Sequence, residues 1–588
     1  MKPPSTSKIP ASAWVTRNAD EESRITRIRE IEAKEVENLR CNRYLAEDLA
    51  LTNMLRKLRI ALGAICLLGI TLLFLDLSGV LHHWLGWLAK IQFLPAVLAL
   101  NLGVIIALVL VTLLFGRIYC SVICPLGVFQ DGVSNLSSRR EGKKARFGYS
   151  KEKKWLRYGV WVIFVVALVA GAGSLVALLA PYSAYGRIVQ SLIAPLVGWG
   201  NNLLAAIAER YGSYAFATKG VWLKSLPTLI VAAVTLIAVV VLAWKNGRTY
   251  CNTICPVGTT LSFFSRFAMF RPMIDKSKCR NCRACEKKCK AACIDVDNHK
   301  IDYSRCVDCF DCLENCKFGA LKYRFAWKAD RDENPAEVNA AVTGSKTPQN
   351  ATKRSLHDQN TEEAGNGRRA FLIGGAAVIG GAAIGELSAL AQTAAGDTTD
   401  VKDKKRDGGL AEIIRKKAPA RTVPVTPFGS ESVDKFYDHC TACQLCVAAC
   451  PNNVLRPTSS LDHLMQPQMS FERGYCRPEC VKCSEVCPAG AILKITPEEK
   501  TSWKVGTATV NLELCVVNHD EVSCGNCARH CPVGAIRMVR KNPDDENSLR
   551  IPTVNEERCI GCGACENLCP SSPISAITVN GCKVHHKI

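Results

Sequence analysis

Of the 32 cysteines in this 588-residue chain, 24 fall into six tight groups of four, and that spacing limits the fold more than any other feature. Cys279, Cys282, Cys285 and Cys289 form C-x2-C-x2-C-x3-C, and Cys306, Cys309, Cys312 and Cys316 repeat it. Four further groups follow: Cys440, Cys443, Cys446 and Cys450; Cys476, Cys480, Cys483 and Cys487; Cys515, Cys524, Cys527 and Cys531; Cys559, Cys562, Cys565 and Cys569. A short loop with three thiols wraps one iron–sulfur cluster while the fourth cysteine leaves on the following helix. The pattern therefore reads as α+β ferredoxin-like modules with six [4Fe-4S] clusters. A zinc site needs four ligands and gives no reason for eight at this spacing, and a disulfide framework gives none for the rhythm.

In two-cluster modules each cubane takes three cysteines of one motif and the last of the other. That rule assigns Cys279, Cys282, Cys285 and Cys316 to one cluster and Cys306, Cys309, Cys312 and Cys289 to the second. For the last four motifs two pairings are open: first with fourth and second with third, or consecutive motifs together. The second and third of these are stretched by loop insertions after Cys476 and Cys515. Proline follows each of their fourth cysteines, at Pro451, Pro488, Pro532 and Pro570, whereas the first module has Lys290 and Lys317 there. A cation at that place favours the reduced cluster, so a raised potential is expected, checked by redox titration of lysine-to-proline variants. Cys293 is a spare, and Cys41, Cys582, His585 and His586 read as incidental.

The 48% apolar content is unevenly placed. Runs over roughly Ile60 to Leu81, Ile91 to Phe115, Trp155 to Ala180 and Leu226 to Trp244 each approach the ~20 residues needed to cross a bilayer, which predicts four membrane helices. Ile188 to Ala208 is also apolar, but Pro195, Gly198 and Gly200 make it a re-entrant or interfacial segment in this reading. Between Gly116 and Lys154 stand Arg117, Arg139, Arg140, Lys143, Lys144, Arg146, Lys151, Lys153 and Lys154. The alternate connections carry few cations. The positive-inside rule therefore puts the N-terminus, this loop and the segment from Lys245 in the cytoplasm. The net charge of +21 follows from this topology, and a nucleic-acid binder is excluded by the spans and the four-ligand rhythm.

At the cytoplasmic ends of the second and fourth runs one phrase occurs twice: Gly116-Arg-Ile-Tyr-Cys120-Ser-Val-Ile-Cys124-Pro-Leu-Gly127 and Gly247-Arg-Thr-Tyr-Cys251-Asn-Thr-Ile-Cys255-Pro-Val-Gly258. A duplicated two-helix unit would bring Cys120, Cys124, Cys251 and Cys255 to one thiol or metal site, with room for a seventh cluster. The bland alternatives are helix-end punctuation by Cys-Pro, or reversible disulfides. Arg117, Tyr119, Arg248 and Tyr250 are the candidates for a quinone-head environment.

Arg368 to Ala391 starts with twin arginines and continues through a Gly/Ala-rich apolar run, as an export signal or a fifth membrane anchor does. Both readings place the C-terminal part of the chain outside the cytoplasm. Ala389-Leu390-Ala391 also has the pattern of a signal-peptidase site. The resulting organisation is a polar cytoplasmic helix (1–58), a four-helix membrane domain (59–270), a cytoplasmic two-cluster module (271–328), a linker (329–367), the signal or anchor (368–391), a second linker (392–430) and an exported four-cluster module (431–588).

Residues 60 to 320 resemble NapH, the membrane subunit of a quinol dehydrogenase that serves periplasmic nitrate reductase. Residues 368 to 580 resemble NapG, its four-cluster partner with a twin-arginine signal. The membrane half is also similar to the polyferredoxin end of NosR proteins and to CcoG accessory proteins. The resemblance implies a natural fusion in the bacterial inner membrane, a quinol dehydrogenase component that draws on the quinone pool and passes electrons to a periplasmic cytochrome or reductase. The alternative is an accessory redox protein that matures or reactivates another metalloenzyme. No Cys-x-x-Cys-His, no paired histidines within a span beyond His82 and His83 at one end, and no Gly-x-Gly-x-x-Gly occur, so haem attachment and a nucleotide-binding fold are not expected.

Overall fold

The computed structural model describes residues 52–76, 80–140, 147–316, 318–326, 406–407, 411–412 and 414–588. Residues 1–51 with Cys41, Lys317, the first linker and the whole Arg368 to Ala391 element lie outside the described residues.

Among the described residues three helices are long and apolar enough to cross a membrane: Thr52–Leu75, Pro181–Arg210 and Leu226–Asn246. Leu102–Phe115 is apolar but shorter. Two of the expected spans are interrupted. The run ending at Phe115 divides into Phe93–Leu98 and Leu102–Phe115, because Leu100 takes a left-handed conformation (φ 51°) and the Asn101 side chain caps the second helix by accepting from Val104 N–H. The run ending at Ala180 divides into Lys154–Val169 and Gly173–Leu179, turning at Gly171. Conversely, the segment expected to be re-entrant is part of the 30-residue Pro181–Arg210. A π turn over Val189–Ile193 precedes Pro195, so the missing proline N–H falls where the hydrogen-bond ladder is already shifted, and the helix continues.

Each duplicated phrase folds the same way. A helix stops at a glycine with positive φ (Gly116, 72°; Gly247, 66°), a single turn carries the first cysteine, and Cys-Pro starts a new helix, Pro125–Arg140 or Pro256–Ser265. Proline in the first turn suits a helix start, since its missing N–H has no intrahelical partner there.

The ferredoxin-like parts are built from short helices and two-stranded antiparallel sheets. Phe270–Ile274 pairs with Leu321–Phe325 around the first module. Trp503–Val510 with Ile577–Lys587, Ile536–Arg540 with Arg550–Val554, and Leu455–Pro457 with Pro467–Met469 frame the C-terminal one.

These modules sit at opposite ends of the helices. At one end Arg56 pairs with Asp311 (2.8 Å) and Arg157 donates to the Ser304 carbonyl (3.0 Å). At the other, the Cys443 carbonyl packs against Gly186 and Phe74, Asp438 against Gly171, and Arg456 and Arg473 both stack on Trp222. One continuous apolar core runs from Val307 and Cys309 through the duplicated phrases and Tyr182 to Cys443, Cys446 and the remaining C-terminal motifs.

Candidate functional site

The cysteines group as ferredoxin ligation requires. Cys289 lines one enclosure of about 420 Å³ with Cys306, Cys309 and Cys312, while Cys285 lies within electrostatic reach of Cys282 and Cys316. Cys289 beside the second motif and Cys316 beside Cys282 and Cys285 are the neighbours that the crossed pairing would use. In the C-terminal module consecutive motifs pair. Cys450 joins Cys476, Cys480 and Cys483 around about 370 Å³, and Cys531 joins Cys559, Cys562 and Cys565 around about 290 Å³. The exchanged fourth cysteines complete the arrangement, Cys487 beside Cys440, Cys443 and Cys446, and Cys569 beside Cys515, Cys524 and Cys527.

Backbone conformation explains how the regular loops wrap. Asn281 and Arg283, Asp308 and Phe310, Ala442 and Gln444, and Gly561 and Gly563 all have positive φ, two per loop. Such turns aim successive N–H groups inward as an anion-binding nest. Glycine at the last pair is the one visible sign of this in the sequence.

Burial pushes the bare thiols of Cys312 and Cys446 well up, so without a cation these two cysteines are neutral. A cluster supplies positive charge and takes the thiolates, releasing protons as it binds. Among the described residues no three His, Cys, Asp or Glu side chains converge as a single ion needs. Four-iron cubanes take each thiolate at a separate corner, and these sets of four cysteines fit that requirement.

Cys293, without a role in the sequence, is buried 3.5 Å from Cys289 Sγ, and this contact favours the Cys289 thiolate. Lys290 is also buried. It pairs with Asp311 (2.8 Å) and lies 3.8 Å from Asp131, and these carboxylates outweigh burial to hold its pKa above the usual lysine value. Its charge is thus largely balanced, which weakens the reason for expecting a raised potential. His585, read as incidental, bridges the Ser430 carbonyl (2.7 Å) and the Thr426 hydroxyl (3.3 Å).

The duplicated phrases meet about a local two-fold relation. Cys120, Cys124, Cys251 and Cys255 are all buried, free of disulfides and within mutual electrostatic reach. Arg117 donates to the Cys251 carbonyl (3.2 Å) and lies 3.8 Å from Cys120 Sγ; Arg248 donates to the Cys120 carbonyl (2.7 Å) and lies 4.0 Å from Cys251 Sγ. A Cβ at Gly127 would collide with the Cys120 carbonyl and come within 2.9 Å of Arg248; at Gly258 the counterparts are the Cys251 carbonyl and Arg117. Glycine at both places is thus a condition of the close approach. The relation breaks at Gln130 and Asp131, whose counterparts are Leu261 and Ser262. Gln130 Nε2 is 3.4 Å from Cys251 Sγ, and Asp131 binds Arg59 and Arg248. That divergence within the repeat is the signal that could have picked out both residues.

All four residues expected near a quinone head are buried. Arg117 and Arg248 brace the thiols. Tyr119 donates to Gln92 Oε1 (3.0 Å) and accepts from Phe93 N–H (3.1 Å).

A 4Fe-4S binding domain model matches residues 97–144 and 228–273, the two duplicated phrases with their preceding helices. Models of 4Fe-4S dicluster domains match 415–493 and 522–572. Methylamine utilization ferredoxin-type protein MauM of Methylobacillus flagellatus is 30% identical over 165 residues, 27% of this chain and 70% of that protein. The chain belongs to the ferredoxin-type iron–sulfur proteins of the Mau and Nap kind. Ferredoxin-type protein NapF of Escherichia coli K12 is 29% identical over 30% of this chain and 94% of its own length. Ferredoxin-type protein NapG of Haemophilus influenzae is 29% identical over 24% of this chain and 53% of its own. No solved structure matches. A fusion with NapG-like character agrees with these relatives, and iron–sulfur electron transfer is the activity that they and the ligand sets share.

Proposed function

We propose that this ferredoxin-type protein oxidises quinol in the bacterial inner membrane and delivers the electrons through its C-terminal clusters to a periplasmic reductase system of the nitrate-reductase type. The observation that carries this reading is the placement of two multi-cluster modules at opposite ends of a bundle with membrane-length helices. Lys151, Lys153 and Lys154 lead into the helix whose Arg157 contacts the two-cluster module, which supports a cytoplasmic face at that end under the positive-inside rule. Quinol gives up two electrons and two protons, whereas each cluster accepts one electron at a time, so a string of clusters suits the conversion. Tyr119 and Tyr250 both lie within electrostatic reach of the thiols, which is what makes them candidates for the headgroup environment.

The test is to mix oxidised full-length protein with a reduced quinone analogue and follow the iron–sulfur absorbance. Bleaching, followed by recovery when a periplasmic cytochrome acceptor is added, is the expected result. Clusters that stay oxidised in excess quinol would overturn the proposal.

A further inference from the structure

Buried arginines in the membrane domain outnumber the carboxylates within ion-pair distance of them. Arg117, Arg187 and Arg248 are each at most 1% exposed. Arg248 has Asp131 as a partner. Among the described residues no carboxylate lies within 4 Å of the other two guanidinium groups; the buried Asp308 carboxyl, which accepts from the Arg117 backbone N–H, is within electrostatic reach of Arg117 but makes no ion pair with it. Arg117 donates to Asn252 Oδ1, the carbonyls of Ser304 and Cys251, and the Cys120 sulfur; Arg187 donates to the carbonyls of Ala177 and Leu178. A buried charge without a counter-ion is strongly unfavourable, so an anion of some kind belongs beside them.

The four thiols beside Arg117 and Arg248 can become that anion. We propose that Cys120, Cys124, Cys251 and Cys255 together ligate a seventh iron–sulfur cluster, and that it carries electrons between the two-cluster module and the four-cluster module. A thiolate-ligated [4Fe-4S] cluster is net anionic in both working oxidation states. The Arg117 and Arg248 N–H groups, Gln130 Nε2 and the Gly258 N–H, 3.4 Å from Cys255 Sγ, then face its sulfurs as a preformed hydrogen-bonding shell. A reversible disulfide would use the same cysteines but leaves Asp308 as the carboxyl within electrostatic reach of Arg117, with no ion pair to it.

Position gives the site its role. On one side Lys290, next to the ligand Cys289, packs its carbonyl on Gly247, and Asp308, between Cys306 and Cys309, packs on Gly116. On the other side Tyr182 lies within electrostatic reach of Tyr119, Cys443 and Cys487, and Arg187 within reach of both Tyr250 and Cys443. Along the first helix, Gly63 marks the level of the phrase (Ser121) and Phe74 the level of Cys443. Those eleven residues rise about 16 Å, roughly half the ~30 Å hydrocarbon core that separates the two faces of a membrane. The seventh cluster takes one electron from one neighbour and gives one to the other, with no bond made or broken in the transfer.

This inference rests on the electron-transfer reading but not on quinol. Iron and acid-labile sulfide are to be quantified on the purified full-length chain. Seven clusters give about 28 irons per chain and six give about 24; a value near 24 overturns the proposal without any variant. The double variant Cys124→Ala, Cys255→Ala should lose about four irons and one EPR species while keeping the others. Unchanged iron in that variant also overturns it. For the role, the protein is placed in sealed vesicles and a membrane-impermeant reductant is added on the side of the C-terminal module. Wild type should then reduce the clusters of both modules, and the variant only those on the exposed side. Equal reduction of the far pair in both proteins overturns the bridge. Because the reductant replaces quinol, a failure of the quinol experiment leaves this outcome readable.

Discussion

Arg248 holds Asp131 with two parallel hydrogen bonds, Nε to Oδ1 at 2.9 Å and a terminal nitrogen to Oδ2 at 2.7 Å, with both side chains buried. Asp131 also receives Arg59 at 2.7 Å and lies 3.8 Å from Lys290, so a single carboxylate ties the first helix, both phrases and the two-cluster module together. Asp131→Asn keeps the shape and removes the charge, leaving buried Arg59 and Arg248 without their carboxylate and Lys290 with Asp311 alone. The expected loss is about 3–5 kcal/mol, read as a lower thermal midpoint in detergent. Lys57→Ala, at an exposed position on the same first helix, is the control and should leave the midpoint unchanged.

The same carboxylate sets a pH response. Burial would raise its pKa, but Arg248, Lys290 and Arg59 outweigh it and hold it far below the usual carboxylate range. A group depressed in the folded state contributes stability that is present above its unfolded value, about 3.9, and is lost only as pH falls below that. Between about pH 8 and 5 the difference in stability between wild type and Asp131→Asn should therefore stay constant. A difference that shrinks across this window would contradict the ion-pair assignment.

Gly127 and Gly132 lie on one helix but in opposite circumstances. Gly127→Ala forces a methyl group onto the Cys120 carbonyl and should cost about 1–3 kcal/mol. Gly132→Ala meets nothing within 4 Å and should be neutral or gain up to about 1 kcal/mol from helix propensity. Thermal unfolding of the two variants side by side checks the contrast.

Ligand pairing makes a third kind of prediction. Cys450→Ala should abolish the cluster held by Cys476, Cys480 and Cys483 and spare the one that Cys440, Cys443 and Cys446 share with Cys487. Cys293→Ala should leave the iron content unchanged, since Cys293 is a neighbour of a ligand, and lower the midpoint potential of one cluster by removing a sulfur hydrogen bond. Iron analysis and EPR-monitored titration separate these outcomes.

His585 carries a second pH effect, in a higher part of the range. Burial lowers its pKa despite its contacts with Ser430 and Cys582. The folded module resists the proton that the unfolded chain takes up below about 6.5, so stability should fall as pH drops through that value. His585→Gln should show a smaller loss of thermal midpoint between about pH 7.5 and 5.5 than wild type.

Spacing in the sequence was enough to single out 24 cysteines as candidate ligands and to see the duplicated phrase, because cluster ligation ties chemistry to local intervals. It could not choose the pairing of the last four motifs, since which module halves dock depends on surfaces far apart in the chain. Helix breaks were legible only where glycine marks them. Gly171 could have been suspected, whereas the left-handed Leu100 carries no sequence signal. Pro195 was misleading, because a π turn just before it removes the usual conflict between proline and a continuing helix. The Arg59, Asp131 and Lys290 contacts join residues more than 70 positions apart, beyond the reach of any local pattern.

The exchange of arginines between the duplicated phrases makes each half the keeper of the other's geometry. Arg117 secures the turn that presents Cys251, and Arg248 the turn that presents Cys120. Neither half can finish its own cysteine turn, so the order of events in biogenesis is constrained: the two helical hairpins must dock before the thiols are presented, and docking acts as a checkpoint ahead of any cofactor insertion.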